Sequence, residues 1–203
     1  MLVIVRHGNT FGAGESPRRI GVRTDLSLTD KGHDQARLLG AHFAEMGWQF
    51  SRALVSPLLR TTQTAEAILA AQTPTITPEP CDFLREIDHG PDENRTEDEV
   101  IARIGNAALE SWDKAAIPPA GWTVDAPQRI TAWQAVLADL TPSSAPLLLV
   151  TSNGAARFAL MADPALRSAA EALPALKLPT GGYGVIRRRL GGELTLSDWG
   201  KRP

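Results

Sequence analysis

The sequence predicts an α/β protein: a three-layer α/β/α sandwich with a mostly parallel central sheet, an antiparallel edge and a helical cap insertion. Three observations predict it. Short apolar runs such as Leu2 to Val5 and Leu147 to Val150 end abruptly in polar residues or glycine, as strands covered on both faces do. Between such runs lie stretches with apolar residues at three- and four-residue spacing, the form of helices with one buried stripe. Near the C-terminus two runs flank Gly191-Gly192, a favoured two-residue hairpin turn, which joins antiparallel strands only. Strands separated by helices argue for a parallel sheet with helices on both faces.

The first strand, Leu2 to Val5, ends in Arg6, His7 and Gly8. Open α/β sheets bind ligands at the carboxyl ends of their strands. An Arg or His left unpaired at the edge of a core is costly, so this pair points to a cleft holding something anionic. The alternative is a strand that simply runs out into solvent. A loop rich in Gly and Arg follows, Asn9 to Ser27. Thr29 or Asp30 is the expected cap of the first helix, whose stripe is Ala36, Leu39, Phe43 and Met46, with Gly47 as its stop. Arg52 to Val55 reads as the second strand. Pro57 is expected in the first turn of the next helix, where a missing N–H costs nothing. That helix carries the stripe Leu58, Thr62, Ala65, Ile68 and Leu69.

The connection Gln72 to Pro80 is expected to hold a short strand at Thr75 to Thr77, before an acidic loop from Cys81 to Arg95. Helices over Thr96 to Lys114 and Pro127 to Leu140 lack strong flanking strands, so residues 96–140 are read as a cap beside the sheet. Leu147 to Val150 is the strongest strand of the second half. Helical stretches follow at Gly154 to Met161 and Pro164 to Leu173, then the hairpin, Tyr183 to Leu190 and Glu193 to Trp199. No repeat, low-complexity tract or linker divides the chain, so residues 1–203 read as a single domain.

Composition limits the partners. Of 203 residues, 43% are hydrophobic and 22% charged, an ordinary globular balance. The formal net charge is −2, so no overall field attracts nucleic acid or an anionic membrane, and any anion site must be local. The one cysteine, Cys81, cannot form an internal disulfide, which favours a reducing compartment. The first apolar run is too short for a signal peptide and none reaches membrane-spanning length. The expectation is a soluble, cytoplasmic protein that partners neither nucleic acid nor membrane. Its oligomeric state stays open, a homodimer included.

The chemistry gathers at three strand ends. Arg6 and His7 close the first strand. Ser56-Pro57-Leu58-Leu59-Arg60 closes the second and places Arg60 in the first turn of a helix, where free N–H groups and the dipole already favour anions. An Arg fork there adds bidentate recognition of a phosphate or carboxylate. Thr151-Ser152-Asn153-Gly154 closes the late strand. Three polar strand ends could converge on one anion; the alternative for Arg60 is a surface cation.

Together these residues resemble the histidine phosphatase superfamily, with its phosphoglycerate-mutase-like fold, over most of the chain. Arg6 to Thr10 resembles the RHG-x-T signature. Asp25 to Ala36 is similar to the D-x-x-LT-x-x-G-x-x-QA segment, Ser56 to Thr64 to the second arginine motif and Leu84 to Gly90 to the L-x-E-x-x-x-G acid loop. The stretch from Thr180 resembles the last-strand region. The resemblance implies a metal-independent phosphatase, without cofactor, acting on a small phosphate monoester. His7 would be the nucleophile, forming a phosphohistidine from a neutral imidazole. Gly8 would leave room for the phosphoryl group. Arg6 and Arg60 would clamp its oxygens, with Asn9, Asn153 and Gly154 completing the phosphate site. Glu86 would protonate the leaving oxygen, a role that asks for a raised pKa. Asp88 and His89 compete for that role, but read better as part of a solvated acidic loop.

Two departures stand out. The family carries a second histidine where this chain has Asn153, which can donate a hydrogen bond but carries no charge. Losing one charge-assisted bond costs about 1–3 kcal/mol, a slowing of roughly ten- to a few hundredfold. A weak or inactive member that binds phosphorylated ligands is therefore one alternative; a phosphomutase is another, for which the chain is short. Ala13 stands where the family pattern has Asn. Of the remaining candidates, His33 and His42 read as surface or helix-end residues and Arg187 to Arg189 as a charged edge strand. The five tryptophans read as packing residues.

Overall fold

The computed structural model describes residues 1–203. Its centre is a six-stranded sheet made of β1 (Leu2–Arg6), β2 (Arg52–Val55), β3 (Glu79–Pro80), β4 (Leu147–Thr151), β5 (Tyr183–Arg188) and β6 (Leu194–Lys201), in the order β3-β2-β4-β1-β5-β6. Three of the pairings are parallel, β2 with β3, β2 with β4 and β1 with β4; β1 with β5 and β5 with β6 are antiparallel. The sheet is thus mostly parallel with an antiparallel edge.

Strand alternation builds two cores. Val3, Val5, Ala53, Val55, Leu148 and Val150 face one side, where they meet Leu39 and Phe43 of α1 (Asp30–Glu45) and Ala65 and Ile68 of α2 (Leu59–Leu69). Leu2, Ile4, Leu54 and Leu149 face the other. That side is covered by α3 (Glu97–Ala115), α4 (Ala126–Ala138) and the short α5 (Asn153–Ala156), α6 (Phe158–Met161) and α7 (Pro164–Glu171). Each fully buried aliphatic side chain contributes about 1.5–3 kcal/mol, so the doubly covered strands anchor the site at their ends. Residues 96–140, expected as a cap, supply Val100, Leu109, Trp112, Trp133 and Leu137 to the same core as β1 and β4. No helix is long and apolar enough to cross a membrane.

Local chemistry sets the helix starts. The Thr29 hydroxyl accepts the Gly32 N–H at 3.2 Å, and Thr96 and Glu99 form a reciprocal capping box at α3. Helix α3 is broken at Gly105, whose φ of +78° no helix accommodates.

Several expectations shift. Met46 is exposed, because α1 ends at Glu45 and Met46 is its C-cap. Pro57 precedes α2, whose cap is Leu58; Asp25 Oδ1 accepts the Leu59 N–H at 2.7 Å from across the site loop. Thr75 to Thr77 forms no strand; the edge pairing comes later, at Glu79–Pro80 alongside Leu54 and Val55. Gly154 to Met161 is two short helices meeting at the buried Arg157. The hairpin turn is Leu190-Gly191-Gly192 rather than two residues: the Gly192 N–H reaches Arg189 O, Arg189 N–H reaches Glu193 O, and Gly192 takes the left-handed position at φ +91°. Arg187 and Arg188 lie on β5, inside the sheet; β6 is the edge. His42 is hydrogen-bonded to the Tyr183 hydroxyl at 2.9 Å.

Candidate active site

The ends of β1 and β4 are stitched together. Arg6 stands opposite Thr151, and the His7 N–H donates to Thr151 O at 3.1 Å. From the other side the Gly181 N–H donates to His7 O at 3.0 Å. The backbone under His7 is therefore held by β4 on one side and by the turn before β5 on the other. The ring is buried, and its Nδ1 lies 2.8 Å from Gly8 O. A carbonyl accepts only, so Nδ1 carries the proton and Nε2 keeps a free lone pair. Burial first, then the charges of Arg60 and Arg6, hold the imidazole's pKa well below its usual value, against the opposing effect of the Gly8 bond. His7 is neutral near pH 7, as a nucleophile must be.

Gly8 answers to a different neighbour from the one expected. A Cβ there would lie 2.4 Å from Gly32 O, so its bareness lets the start of α1 approach β1. Its N–H donates to Thr64 Oγ1 at 3.1 Å.

Arg6 donates through Nη1 to Leu178 O at 2.8 Å, while its buried Nε has no partner. Burial lowers its pKa to about 10, partly offset by Glu86. Arg60 lies deeper. It is fully buried, donates to Thr24 O at 2.8 Å and Gly21 O at 3.2 Å, and does not line the cleft. Its positive charge nevertheless acts on His7 from behind.

Glu86 faces His7 across the cleft from the loop after Leu84. One carboxylate oxygen accepts the Gly154 N–H at 3.0 Å and the other the Ile87 N–H at 2.9 Å. Burial pushes this carboxyl up, but His89, the two N–H groups and Arg60 together outweigh burial and hold it below the usual range. The value is thus lowered, where a proton donor asks for a raised one. A negative charge brought beside a carboxyl group raises its pKa. The loop is held from two sides. Thr151 Oγ1 donates to Leu84 O at 2.6 Å, and Arg129 on α4 donates to Phe83 O and Arg85 O at 3.0 and 2.8 Å. Sequence reading missed Arg129, since a cation in a helix's first turn reads as solvated surface.

Asn153 uses Oδ1 to accept the Leu178 N–H at 3.0 Å, which leaves its NH₂ as a donor. The Asn9 amide nitrogen is spent on Phe11 O and Thr29 Oγ1. Arg6, His7, Asn9, Glu86, Asn153 and Gly154 line one cleft of about 470 Å³. His89 also lines it, and is buried rather than solvated. Asp88 does not; it pairs with Arg23 at 3.1 Å and caps the Gly90 N–H. Arg157, also unforeseen, is fully buried, with its guanidinium 3.9 Å over the ring of Trp112 on the cleft wall. No three His, Cys, Asp or Glu side chains converge as a metal site would require. The arrangement offers a neutral nucleophile, flanking cations and a carboxyl group at the far side, the parts needed to move a phosphoryl group.

Comparison with known proteins agrees with this chemistry. The model of the histidine phosphatase superfamily (branch 1) matches residues 2–200. A probable phosphoglycerate mutase of Erwinia tasmaniensis is 35% identical over 114 residues, 56% of this chain and 48% of that protein, so the match spans about half the relative's length. A 2,3-bisphosphoglycerate-dependent phosphoglycerate mutase of Azorhizobium caulinodans is 26% identical over 211 residues, 98% of this chain and 96% of that one. Among solved structures, a mycobacterial glucosyl-3-phosphoglycerate phosphatase superposes with a TM-score of 0.77 at 19% identity, covering 100% of this chain and 99% of the other. That likeness establishes the fold.

Proposed function

The chain belongs to the histidine phosphatase superfamily, and on that premise we propose that it hydrolyses a small phosphate monoester through a phosphohistidine on His7, without a metal. The observation that carries the reading is the His7 ring: buried, neutral, its Nδ1 tied to Gly8 O, its Nε2 free, in the cleft that Glu86 also lines. In the first step Nε2 attacks phosphorus, the ester P–O bond breaks and Glu86 delivers a proton to the leaving oxygen. In the second, water attacks the phosphohistidine and Glu86 takes a proton from it. Arg6 offsets the charge on the non-bridging oxygens directly; Arg60, outside the cleft lining, contributes through its field.

The test is phosphate release from a panel of monoesters, chelator present, for wild type and His7→Ala. Turnover is expected in the wild type, with a loss of about four orders of magnitude or more in the variant, as when other nucleophiles are removed. Absence of turnover across the panel, with phosphate binding retained, favours a binding module, the reading Asn153 supports. A mutase is the other alternative, favoured by what the curated relatives are called. Transfer of phosphate to 3-phosphoglycerate faster than its release to water separates it from a phosphatase.

A further inference from the structure

His7, Glu86 and His89 are the buried ionisable side chains on the cleft wall, and the reaction above leaves only His89 unused. Its ring packs edge-on against Trp122, with centroids 4.6 Å apart, and Trp122 is fixed in turn by donating Nε1–H to Asp92 at 2.6 Å. His89 Nδ1 is buried, has no hydrogen-bond partner and lies 3.6 Å from Oε2 of the buried Glu93 carboxylate. Glu93 does not swing freely, since Oε1 accepts the Gly21 N–H at 2.8 Å and the Thr24 hydroxyl at 2.7 Å. The neighbouring loop makes way for this pair: a Cβ on Gly21 would fall 2.2 Å from Glu93 Oε2 and 2.7 Å from His89 Nδ1. With Nδ1 turned to Glu93, the opposite edge of the ring, carrying Nε2, points away from that carboxylate on the cleft side.

We propose that His89 works as an imidazolium held by Glu93, its Nε2–H donating to a phosphoryl oxygen of the ester bound between His7 and Glu86. The proposal rests on the phosphatase reading for its substrate, but only on the cleft's affinity for phosphate for its test. A carboxylate on one side and a phosphoryl oxygen on the other give the ring an acceptor for each of two N–H groups, which only the doubly protonated imidazole offers. Among the groups that draw the Glu86 carboxyl down, the charge of His89 is the strongest, so the two side chains sense each other across the cleft wall. The consequence is that the cation Asn153 cannot supply comes from a different loop, and this pocket keeps its charge with one histidine exchanged for another.

The experiment is calorimetric titration with inorganic phosphate of wild type, His89→Gln, Glu93→Gln, Asn153→His and the His89→Gln/Asn153→His double variant, with kcat/KM measured wherever an ester turns over. Glutamine keeps a donor but not the charge. His89→Gln is expected to weaken phosphate binding and kcat/KM by about ten- to a hundredfold, the worth of one charge-assisted bond, and Glu93→Gln by a smaller factor in the same direction. Asn153→His is expected to raise affinity more in the His89→Gln background than in wild type, because there it restores a missing cation. A His89→Gln protein that binds phosphate as the wild type does overturns the proposal. So does an Asn153→His gain equal in both backgrounds, or a wild type that binds no phosphate. Melting curves show whether each variant is folded; if His89→Gln is not, unchanged affinity in Glu93→Gln is the overturning result. If no ester turns over but the binding differences appear, the phosphatase reading fails and the anion site stands.

Discussion

Glu86 and Gly154 fit so closely that the second has no room for a side chain. A Cβ on Gly154 would lie 2.1 Å from Glu86 Oε1, and the atom it strikes is the movable end of a carboxylate. Gly154→Ala is therefore expected to displace Glu86 and break the bond from the Gly154 N–H, with activity falling about a hundredfold, the lower end of what general acid catalysis contributes. Because the side chain can swing, the melting temperature should fall much less than the rate; comparing kcat with thermal unfolding checks this, and a stable variant with full activity contradicts it. At this scale some of the site was legible in the sequence. Arg6, His7, Glu86, Asn153 and Gly154 stand where strand ends or a known spacing put them. Depth was not legible. Arg60 had the right position and the right charge, but the loop carbonyls of Thr24 and Gly21 claim its guanidinium, and no helical periodicity reports which carbonyls a distant loop presents. His89 read as solvated because its neighbours are acidic; Trp122, far along the chain, is what buries it.

Elements meet at the site through missing side chains. Gly32, in the first turn of α1, packs so tightly on the loop after β1 that a Cβ would lie 2.2 Å from Asn9 O. Helix propensity alone makes Gly32→Ala stabilising by about 1 kcal/mol. The clash is with backbone, which cannot rotate aside, and overpacking of this kind costs about 1–3 kcal/mol. We expect the clash to win, with a melting temperature lowered by several degrees; an increase would mean that the loop gives way freely. Element types and order were legible because apolar spacing reports which face is buried. Element ends were less so. Nothing local separates Thr75 to Thr77 from Glu79–Pro80 as an edge strand, since the choice is made by register against Leu54 and Val55. The hairpin needed its third residue to bring Gly192, rather than Leu190, to the left-handed position.

Over the whole molecule, a net charge of −2 conceals a cleft lined by Arg6, Arg18, Arg19 and Lys177 beside Glu86, Glu97 and Asp113. Burial lowers the pKa of Arg6 to about 10, and lowers those of Arg60 and His7 too, so the fold holds their charged forms at a disadvantage. The sign for His7 follows from linkage. Its folded-state value lies below the 6.5 of the unfolded chain, so the unfolded state binds more protons as pH falls. This stability is complete above pH 6.5 and is lost below it. Glu93 adds a second loss lower down, from 4.5 toward its folded value of about 2. The midpoint of urea unfolding should therefore fall from pH 7 to 5, less steeply in a His7→Gln variant; a midpoint that rises contradicts this. A bound dianion reverses the disadvantage of the cations and binds only where the fold brings them together. At a hundred times its dissociation constant, inorganic phosphate is expected to stabilise the protein by about 2.7 kcal/mol. For a chain of this size that raises the melting temperature by roughly 5–10 °C. Because Arg6 and the His7 ring both lie within the cleft, the rise should exceed that given by chloride at equal ionic strength, which screens without filling the site. An equal shift with both salts would mean that the cleft's charge acts only through the solvent, and that no phosphate is held at the end of β1.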